Sequence, residues 1–185
     1  MNSEIELVVL RWWQSMFLPP DELKEKGNFP ASTAQKAQLK RCESIDSAML
    51  SEGFRTLWFA LPESLTAAAK SSDIECWATI AAALVYVKKN SKNKLAAAAG
   101  SKAEGDKSVV SELRFAQLQG AKTPEDFLRR LRRILQQIKG DVSVTSLAKD
   151  IEQWFSEYNA LRPRKADKRI AVQWAIDYYR AASKK

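Results

Sequence analysis

Four arginines lie within five consecutive positions of the segment FLRRLRRILQQI, residues 127–138. At 100° per residue, one helix face holds the apolar side chains, Arg129 and Arg133 point away from it, and Arg130 and Arg132 flank it. Guanidinium groups are always charged and offer forked donors that match phosphate oxygens. Arg129 and Arg133 repel each other at i,i+4 spacing, and we expect no local acidic partner for them. The segment therefore predicts a helix that presents an arginine row to an external polyanion.

A second basic cluster follows the helix predicted over residues 143–160. Its five members are Arg162, Arg164, Lys165, Lys168 and Arg169. Asp167 is the only acidic residue among them, and Pro163 prevents the preceding helix from continuing. We interpret the cluster as a second contact for the same polyanion. A solvated loop is the alternative.

Most catalytic chemistry is excluded by composition. The sequence contains no histidine, the commonest general base and transition-metal ligand. Cys42 and Cys76 are the only cysteines, too few for a structural zinc site. Because no secretory signal is recognisable, we expect both to be reduced, buried thiols. No glycine-rich phosphate loop is present. We therefore expect a protein without catalytic activity, cofactor or metal.

The positive charge is concentrated in the second half of the chain. Lys and Arg number 30 against 22 Asp and Glu, which gives a net charge of +8. Residues 1–105 hold 13 basic and 12 acidic side chains, whereas residues 106–185 hold 17 and 10. Nucleic acid is the polyanion that this balance favours.

The longest apolar stretch, residues 78–87, is only about half the length of a membrane span, so we expect a soluble, cytoplasmic protein.

Helical periodicity extends along most of the chain, and no segment is typical of a strand. The clearest helix has Thr123 as its N-cap and Pro124 at its first position, and Gly140 ends it. The carboxylate of Asp126, in the first turn of this helix, interacts favourably with the positive end of the helix dipole. In the next helix we expect Tyr158 to face inward. The fold class predicted is all-α, an elongated bundle of about eight to nine helices in two halves.

Residues 91–107 divide these halves in the sequence. The segment is built mainly from Ala, Ser, Lys, Asn and Gly, a composition that does not build a core. We therefore expect an N-terminal helical half over residues 1–90, a flexible connector over 91–107, and a basic C-terminal helical half over 108–185.

Six segments follow one another in a characteristic order along the chain. They are AQLKRC at 37–42, SEGFRTLWFALP at 51–62, SELRFAQL at 111–118, TPEDFLRRLRRIL at 123–135, DIEQWF at 150–155 and RIAVQWAIDYY at 169–179. Together they resemble the CasB family, the small subunit of the type I-E CRISPR Cascade complex.

The resemblance implies an all-helical, non-enzymatic subunit of an RNA-guided complex that serves antiviral defence. Such a subunit would be present as a head-to-tail pair and would contact the repeated backbone subunits, the large subunit, guide RNA and target DNA. Its basic surface would stabilise the target DNA opened by guide pairing, particularly the displaced strand. By motif, the implied binding residues are Lys40 and Arg41 in AQLKRC, Arg114 in SELRF, the four arginines of LRRLRR and the second basic cluster.

A protein-interaction scaffold is the alternative function. In that case the arginines would dock onto an acidic protein partner or pair with acidic residues of the chain itself. Salt-independent association and arginines already paired with carboxylates would distinguish this scaffold from a nucleic-acid binder.

Overall fold

The computed structural model describes residues 1–103 and 106–183, and these are predominantly α-helical, as predicted. The chain divides into two compact units, Met1–Val85 and Tyr86–Lys185. The helices of the first unit are α1 (Ser3–Phe17), α2 (Pro20–Glu25), α3 (Thr33–Arg41), α4 (Ile45–Met49), α5 (Glu52–Ala60), α6 (Glu63–Thr66) and α7 (Ser71–Leu84).

The first unit is built around α7, whose residues 76–84 are all buried. Close approach between neighbouring helices depends on Gly53 of α5, because a Cβ there would lie 2.5 Å from Leu39 Cδ1 of α3. Trp12 of α1 donates its indole N–H to the carbonyl oxygen of Gly53 at 2.9 Å. Three helices therefore meet at this glycine.

The second unit contains five α-helices and two short strands within its described residues. Its elements are β1 (Lys89–Asn90), α8 (Leu95–Gly100), α9 (Glu112–Gln119), α10 (Pro124–Gln137), β2 (Asp141–Val142), α11 (Val144–Tyr158), a 3-10 helix (Ala166–Lys168) and α12 (Ile170–Ala182). The described residues thus hold more helices than the eight to nine expected. Helices as short as α4 and α6, with five and four residues, show too little periodicity for recognition in a sequence.

The two strands pair in parallel, with Lys89 opposite Asp141. The expectation that no strand occurs is therefore wrong for these four residues. Gly140, with φ +68°, makes the pairing possible, and its carbonyl oxygen accepts hydrogen bonds from the N–H groups of Lys88 and Lys89 at 2.9 and 3.1 Å. Two residues per strand are too few to show the alternation by which a strand is recognised.

The segment expected to be a flexible connector, residues 91–107, contains the buried helix α8. Its buried aliphatic residues are Leu95, Ala96 and Ala99. Gly100 packs directly on the backbone of Tyr178 in α12. The expectation of a connector without core residues is therefore wrong for α8, because alanine and glycine give little hydrophobic periodicity yet let two helices approach closely. Residues 104 and 105 lie outside the described part of this segment.

Both cysteines, Cys42 and Cys76, are free thiols and both are buried, as predicted. The Cys42 thiol donates a hydrogen bond to the carbonyl oxygen of Gln38 at 3.2 Å.

Within residues 1–103 and 106–183, no helix has the length and apolar character needed to cross a membrane.

Replacing Gly100 by alanine should destabilise the protein, because the new Cβ would lie 2.2 Å from the carbonyl oxygen of Tyr178. Overpacking of this kind lowers the free energy of unfolding by about 1–3 kcal/mol. Urea unfolding followed by circular dichroism measures the loss. Gly120→Ala is the matched control, since its Cβ would meet no atom closer than 3.4 Å. Equal unfolding midpoints for Gly100→Ala and wild type would contradict the packing of α8 on α12.

Candidate nucleic-acid interface

The predicted arginine row lies on α10, and the ends of this helix follow the sequence prediction. The Thr123 hydroxyl caps it by accepting a hydrogen bond from the Asp126 N–H at 3.2 Å, and Pro124 occupies the first helical position. After Gln137 the chain turns through Lys139 and Gly140, both with positive φ. The buried face consists of Phe127, Leu128, Leu131, Ile134 and Leu135. The opposite face is thereby held toward solvent.

The exposure of the four arginines agrees with the helical wheel. Arg129 and Arg133 are exposed, whereas Arg130 and Arg132 are partly buried at the edges of the apolar face. The guanidinium group of Arg132 lies 5.3 Å from the centroid of the Tyr86 ring, within the range of a cation–π interaction. Arg133 forms no ion pair with a carboxylate in the part of the chain that the structure describes.

One carboxylate binds two of these arginines, contrary to expectation. Asp126 Oδ1 accepts hydrogen bonds from Arg129 Nη2 at 2.6 Å and from Arg130 Nε at 2.7 Å. The bond from Arg129 is the largest of the effects that lower the pKa of Asp126. The expectation that the outer arginines lack a local acidic partner is therefore wrong for Arg129, because Asp126 precedes it by three residues on the same helix side.

This pairing does not neutralise the row. A single carboxylate faces two guanidinium groups, and the Arg129 side chain stays 60% exposed. An ion pair in contact with solvent contributes only about 0–1 kcal/mol. An incoming phosphate can therefore compete with Asp126 for Arg129, and Arg133 has no ion pair with a carboxylate among the residues that the structure describes.

Packing of α9 on α10 brings Arg114 beside the arginine row. Arg114, Arg130 and Arg133 line a groove of about 450 Å³, and Arg130 also donates a hydrogen bond to the carbonyl oxygen of Gln117 at the rim. The other lining residues are Gln117, Ile134, Gln136 and Gln137. These glutamines were not predicted as site residues, although Gln136 and Gln137 lie three and four residues after Arg133. The groove combines three cations with amide groups, a donor set suited to a phosphodiester.

The second basic cluster lies in the loop between α11 and α12, and all five of its cations are exposed. Its sole acidic residue, Asp167, lies 3.7 Å from Lys168 Nζ. Arg162 and Lys165 have no ion pair with carboxylates in the described residues. The loop therefore keeps the positive charge predicted from the sequence.

Helix α11 fixes the shape of this loop. The Glu157 carboxylate accepts hydrogen bonds from the N–H of Ile170, the first residue of α12, at 2.9 and 3.2 Å. The Gln153 amide donates to a main-chain carbonyl oxygen of the loop at 2.9 Å. Arg164 donates to Ser156 Oγ at 3.3 Å, so its guanidinium group folds back onto α11. The cluster is thus attached to a helix at several points.

Tyr158, at the end of the same helix, does not face inward as predicted. Its side chain is 48% exposed, whereas Trp154, one turn earlier, is buried. The expectation is wrong because the last turn of α11 extends beyond the core that buries Trp154.

Lys40 and Arg41 lie in the first unit, in the last turn of α3, and both are exposed. Cations are favoured at this end of a helix by its dipole. Arg41 lines a groove of about 560 Å³ together with Arg55, whose Nη1 donates to the carbonyl oxygen of Leu50 at 2.7 Å. Burial lowers the pKa of Lys36, and the nearby charge of Lys40 lowers it further.

Asp150 of α11 is an acidic residue whose pKa is raised by its environment. Burial raises the pKa of Asp150 to about 6, and the charge of Asp177 acts in the same direction. A hydrogen bond from Trp174 Nε1, at 2.9 Å, and the charge of Lys94 oppose this rise. The folded protein therefore binds a proton here more tightly than the unfolded chain does.

Replacing Asp150 by asparagine should change how stability depends on pH. Because the folded-state pKa of about 6 exceeds the ordinary value of 3.8, the Asp150 carboxyl contributes a gain in the stability of wild type as the pH falls. Between pH 8 and pH 5 this gain is about 1.4 kcal/mol, and the variant lacks it. The hydrogen bond from Trp174 is kept, because the amide oxygen of the new side chain accepts it as the carboxylate does.

Urea unfolding at both pH values measures this difference, and Asp167→Asn in the exposed loop is the control. The stability of Asp150→Asn relative to wild type should be higher at pH 8 than at pH 5. A relative stability independent of pH would contradict the burial of a charged carboxylate at this position.

Comparison with known proteins gives two matches. The family described as CRISPR-associated protein Cse2 matches residues 35–179 of the chain. A chain in the crystal structure of E. coli Cascade bound to a PAM-containing dsDNA target is similar in fold, with a TM-score of 0.62 and 15% sequence identity. That similarity covers 97% of this chain and 96% of the other. No curated protein sequence matches.

Proposed function

Because the chain belongs to the CRISPR-associated protein Cse2 family, the CasB small subunits of type I-E Cascade, we propose that its basic surface holds nucleic acid by the phosphate backbone. The chain is a small subunit of such a complex. Its partners are the other Cascade subunits, guide RNA and target DNA. We further propose that it pairs with a second copy inside the assembly and acts in the cytoplasm.

The observation that carries the proposal is the surplus of arginine on one surface of α9 and α10. Arg114, Arg130 and Arg133 line one groove, Arg129 lies on the exposed side of the same helix, and Asp126 pairs with Arg129 and Arg130. An exposed helix face that needed charge only for solubility would alternate signs at i,i+4 spacing. The surplus therefore favours an external polyanion.

Backbone binding of this kind suits the opening of a DNA duplex along a guide RNA. The heteroduplex that forms is about as stable as the duplex that it replaces, so modest contacts to the freed strand shift the balance. Sequence is read by base pairing with the guide, and phosphate contacts carry no sequence information. A row of arginines is sufficient for such a task.

We also propose that the chain catalyses no reaction. The sequence contains no histidine, and the arginine groove brings cations and amides together rather than a nucleophile and a base. Purified protein incubated with labelled single-stranded and duplex DNA in Mg²⁺ should leave both intact. Cleavage that co-purifies with the protein, and that varies with substitutions in it, would refute this proposal.

Docking onto an acidic protein partner is the second candidate function, and the pairing of Arg129 and Arg130 with Asp126 favours it. This pairing shows that carboxylates can occupy the row. The observation carries less weight than the groove, because Arg133 and Arg114 keep their charges without a carboxylate in the described residues. The salt dependence of DNA binding distinguishes the two functions.

Replacing Arg129, Arg130, Arg132 and Arg133 together by glutamine should weaken binding of single-stranded DNA and flatten its salt dependence. Each phosphate contact contributes about 0.7 to the slope of log K against log salt concentration. The fourfold variant should therefore lose up to about 3 units of slope. Fluorescence anisotropy of a labelled oligonucleotide, titrated between about 50 and about 300 mM salt, measures the slope over a range in which screening changes strongly.

A matched pair of single substitutions controls for net charge. Arg133→Gln and Arg180→Gln each remove one exposed cation, but Arg180 lies on α12 beside Asp177, at 3.6 Å. Only Arg133→Gln should reduce affinity and slope. If the fourfold variant bound DNA as wild type does at low salt, the role assigned to α10 would be wrong.

A further inference from the structure

A stack of four nearly parallel aromatic rings extends through the second unit and ends at the surface. Tyr158 lies on Trp154 with ring centroids 5.2 Å apart and an interplanar angle of 8°. Trp154 lies on Phe127 at 4.2 Å and 13°, and Phe127 faces Trp174 at 6.4 Å and 3°. The three inner rings are buried, whereas Tyr158 is 48% exposed. One side of the Tyr158 ring therefore lies against Trp154, and about half of the residue is open to solvent.

We infer that the exposed face of Tyr158 stacks on an unpaired nucleobase of the strand whose phosphates the second basic cluster binds. This inference rests on the proposed function and adds to it a contact of a different kind. Aromatic rings are the usual stacking platforms for single-stranded nucleic acid, because every base has a π-face.

The position of the ring is supported by the buried residues on which it packs. The rings beneath it are held by packing, and Trp174 Nε1 donates a hydrogen bond to Asp150 at 2.9 Å. Glu157, the residue before Tyr158, bonds the N–H of Ile170 and so ties the end of α11 to the start of α12. A preorganised ring loses little conformational freedom when it binds, which favours affinity.

The charge around the ring favours nucleic acid over an acidic or apolar protein surface. Arg162 follows Tyr158 by four residues, a separation of at most about 14 Å along an extended chain. Arg164 is held near the same helix end, because it donates to Ser156 Oγ at 3.3 Å. The Glu157 carboxylate is occupied by main-chain and amide hydrogens, at 2.9 and 2.8 Å. Cations beside a flat exposed ring match phosphates beside an unpaired base.

Base pairing decides which nucleic acid can use this ring. In a duplex, neighbouring base pairs cover both faces of each base, so Tyr158 has no face on which to stack. A displaced or otherwise single strand has bases that can turn toward the ring. The ring therefore gives the second unit a preference for unpaired strands, with no dependence on base identity.

The test compares three variants of the full-length chain on two oligonucleotides of equal length. One is a single-stranded DNA, and the other has the same sugar–phosphate backbone with abasic sites throughout. Tyr158→Leu removes the ring, and Tyr158→Phe keeps it. Tyr179→Leu is the matched control, because Tyr179 is 52% exposed but packs edge-on against Tyr178 rather than in the parallel stack.

Tyr158→Leu should raise the Kd for the normal strand about fivefold or more, since one base–aromatic stack corresponds to roughly 5- to 150-fold in affinity. Tyr158→Phe and Tyr179→Leu should bind as wild type does. On the abasic strand, the loss caused by Tyr158→Leu should be smaller, and on both strands the salt slope should stay unchanged because no charge is altered.

Two results would overturn the inference. One is an unchanged Kd of Tyr158→Leu on the normal strand, and the other is an equal loss on both strands. If the Kd is unchanged while association with another Cascade subunit is lost, the ring belongs to a protein contact. If wild type itself does not bind DNA, the proposed function is refuted, and the inference that rests on it is refuted too. The urea unfolding midpoint of Tyr158→Leu checks that this variant is correctly folded.

Discussion

The arginine row depends on the burial of the opposite face of α10. Like charges at i,i+4 spacing destabilise a helix by roughly 0.2–0.5 kcal/mol per pair. Each buried Leu, Ile or Phe of the helix contributes about 1.5–3 kcal/mol, and five such residues are buried here. Packing therefore exceeds repulsion by an order of magnitude. The charges on the outer face can therefore be arranged for a ligand at little cost to the fold, and Asp126 relieves part of their repulsion.

Features of α10 that depend on residues three or four positions apart could be predicted from the sequence. The cap at Thr123, the turn at Gly140 and the orientation of the arginines follow from side-chain spacing and from φ preferences, and all three are present. The pairing of Asp126 with Arg129 could also have been predicted from the spacing of these two residues in the sequence. Asp126 was assigned to the helix dipole alone, although a carboxylate in the first turn can serve the dipole and an arginine three residues later.

Features that depend on the packing of distant segments could not be predicted in this way. Helix α8 is buried because Gly100 allows its backbone to touch Tyr178, and small side chains leave no periodic signal in the sequence. Arg114 joins the arginine row only through the packing of α9 on α10. Tyr158 follows Trp154 at a spacing typical of one helix face, yet the core ends between these two residues. Periodicity predicts which side of a helix is apolar, whereas tertiary structure decides how far along the helix burial continues.

Electrostatic contacts alone do not distinguish an opened strand from a closed duplex, because both present phosphates to arginine. Discrimination requires a contact that only the open form can make. The second unit has side chains suited to both contacts, since α10 carries the arginines proposed to contact phosphates. The ring stack that includes Phe127 of the same helix ends at the exposed Tyr158. Phe127 belongs to the buried face that holds the arginine row outward. The buried face of α10 therefore supports both the arginine row and the ring of Tyr158. In the proposed function, α10 links a sequence-independent contact to phosphates with a contact that only an unpaired base can make.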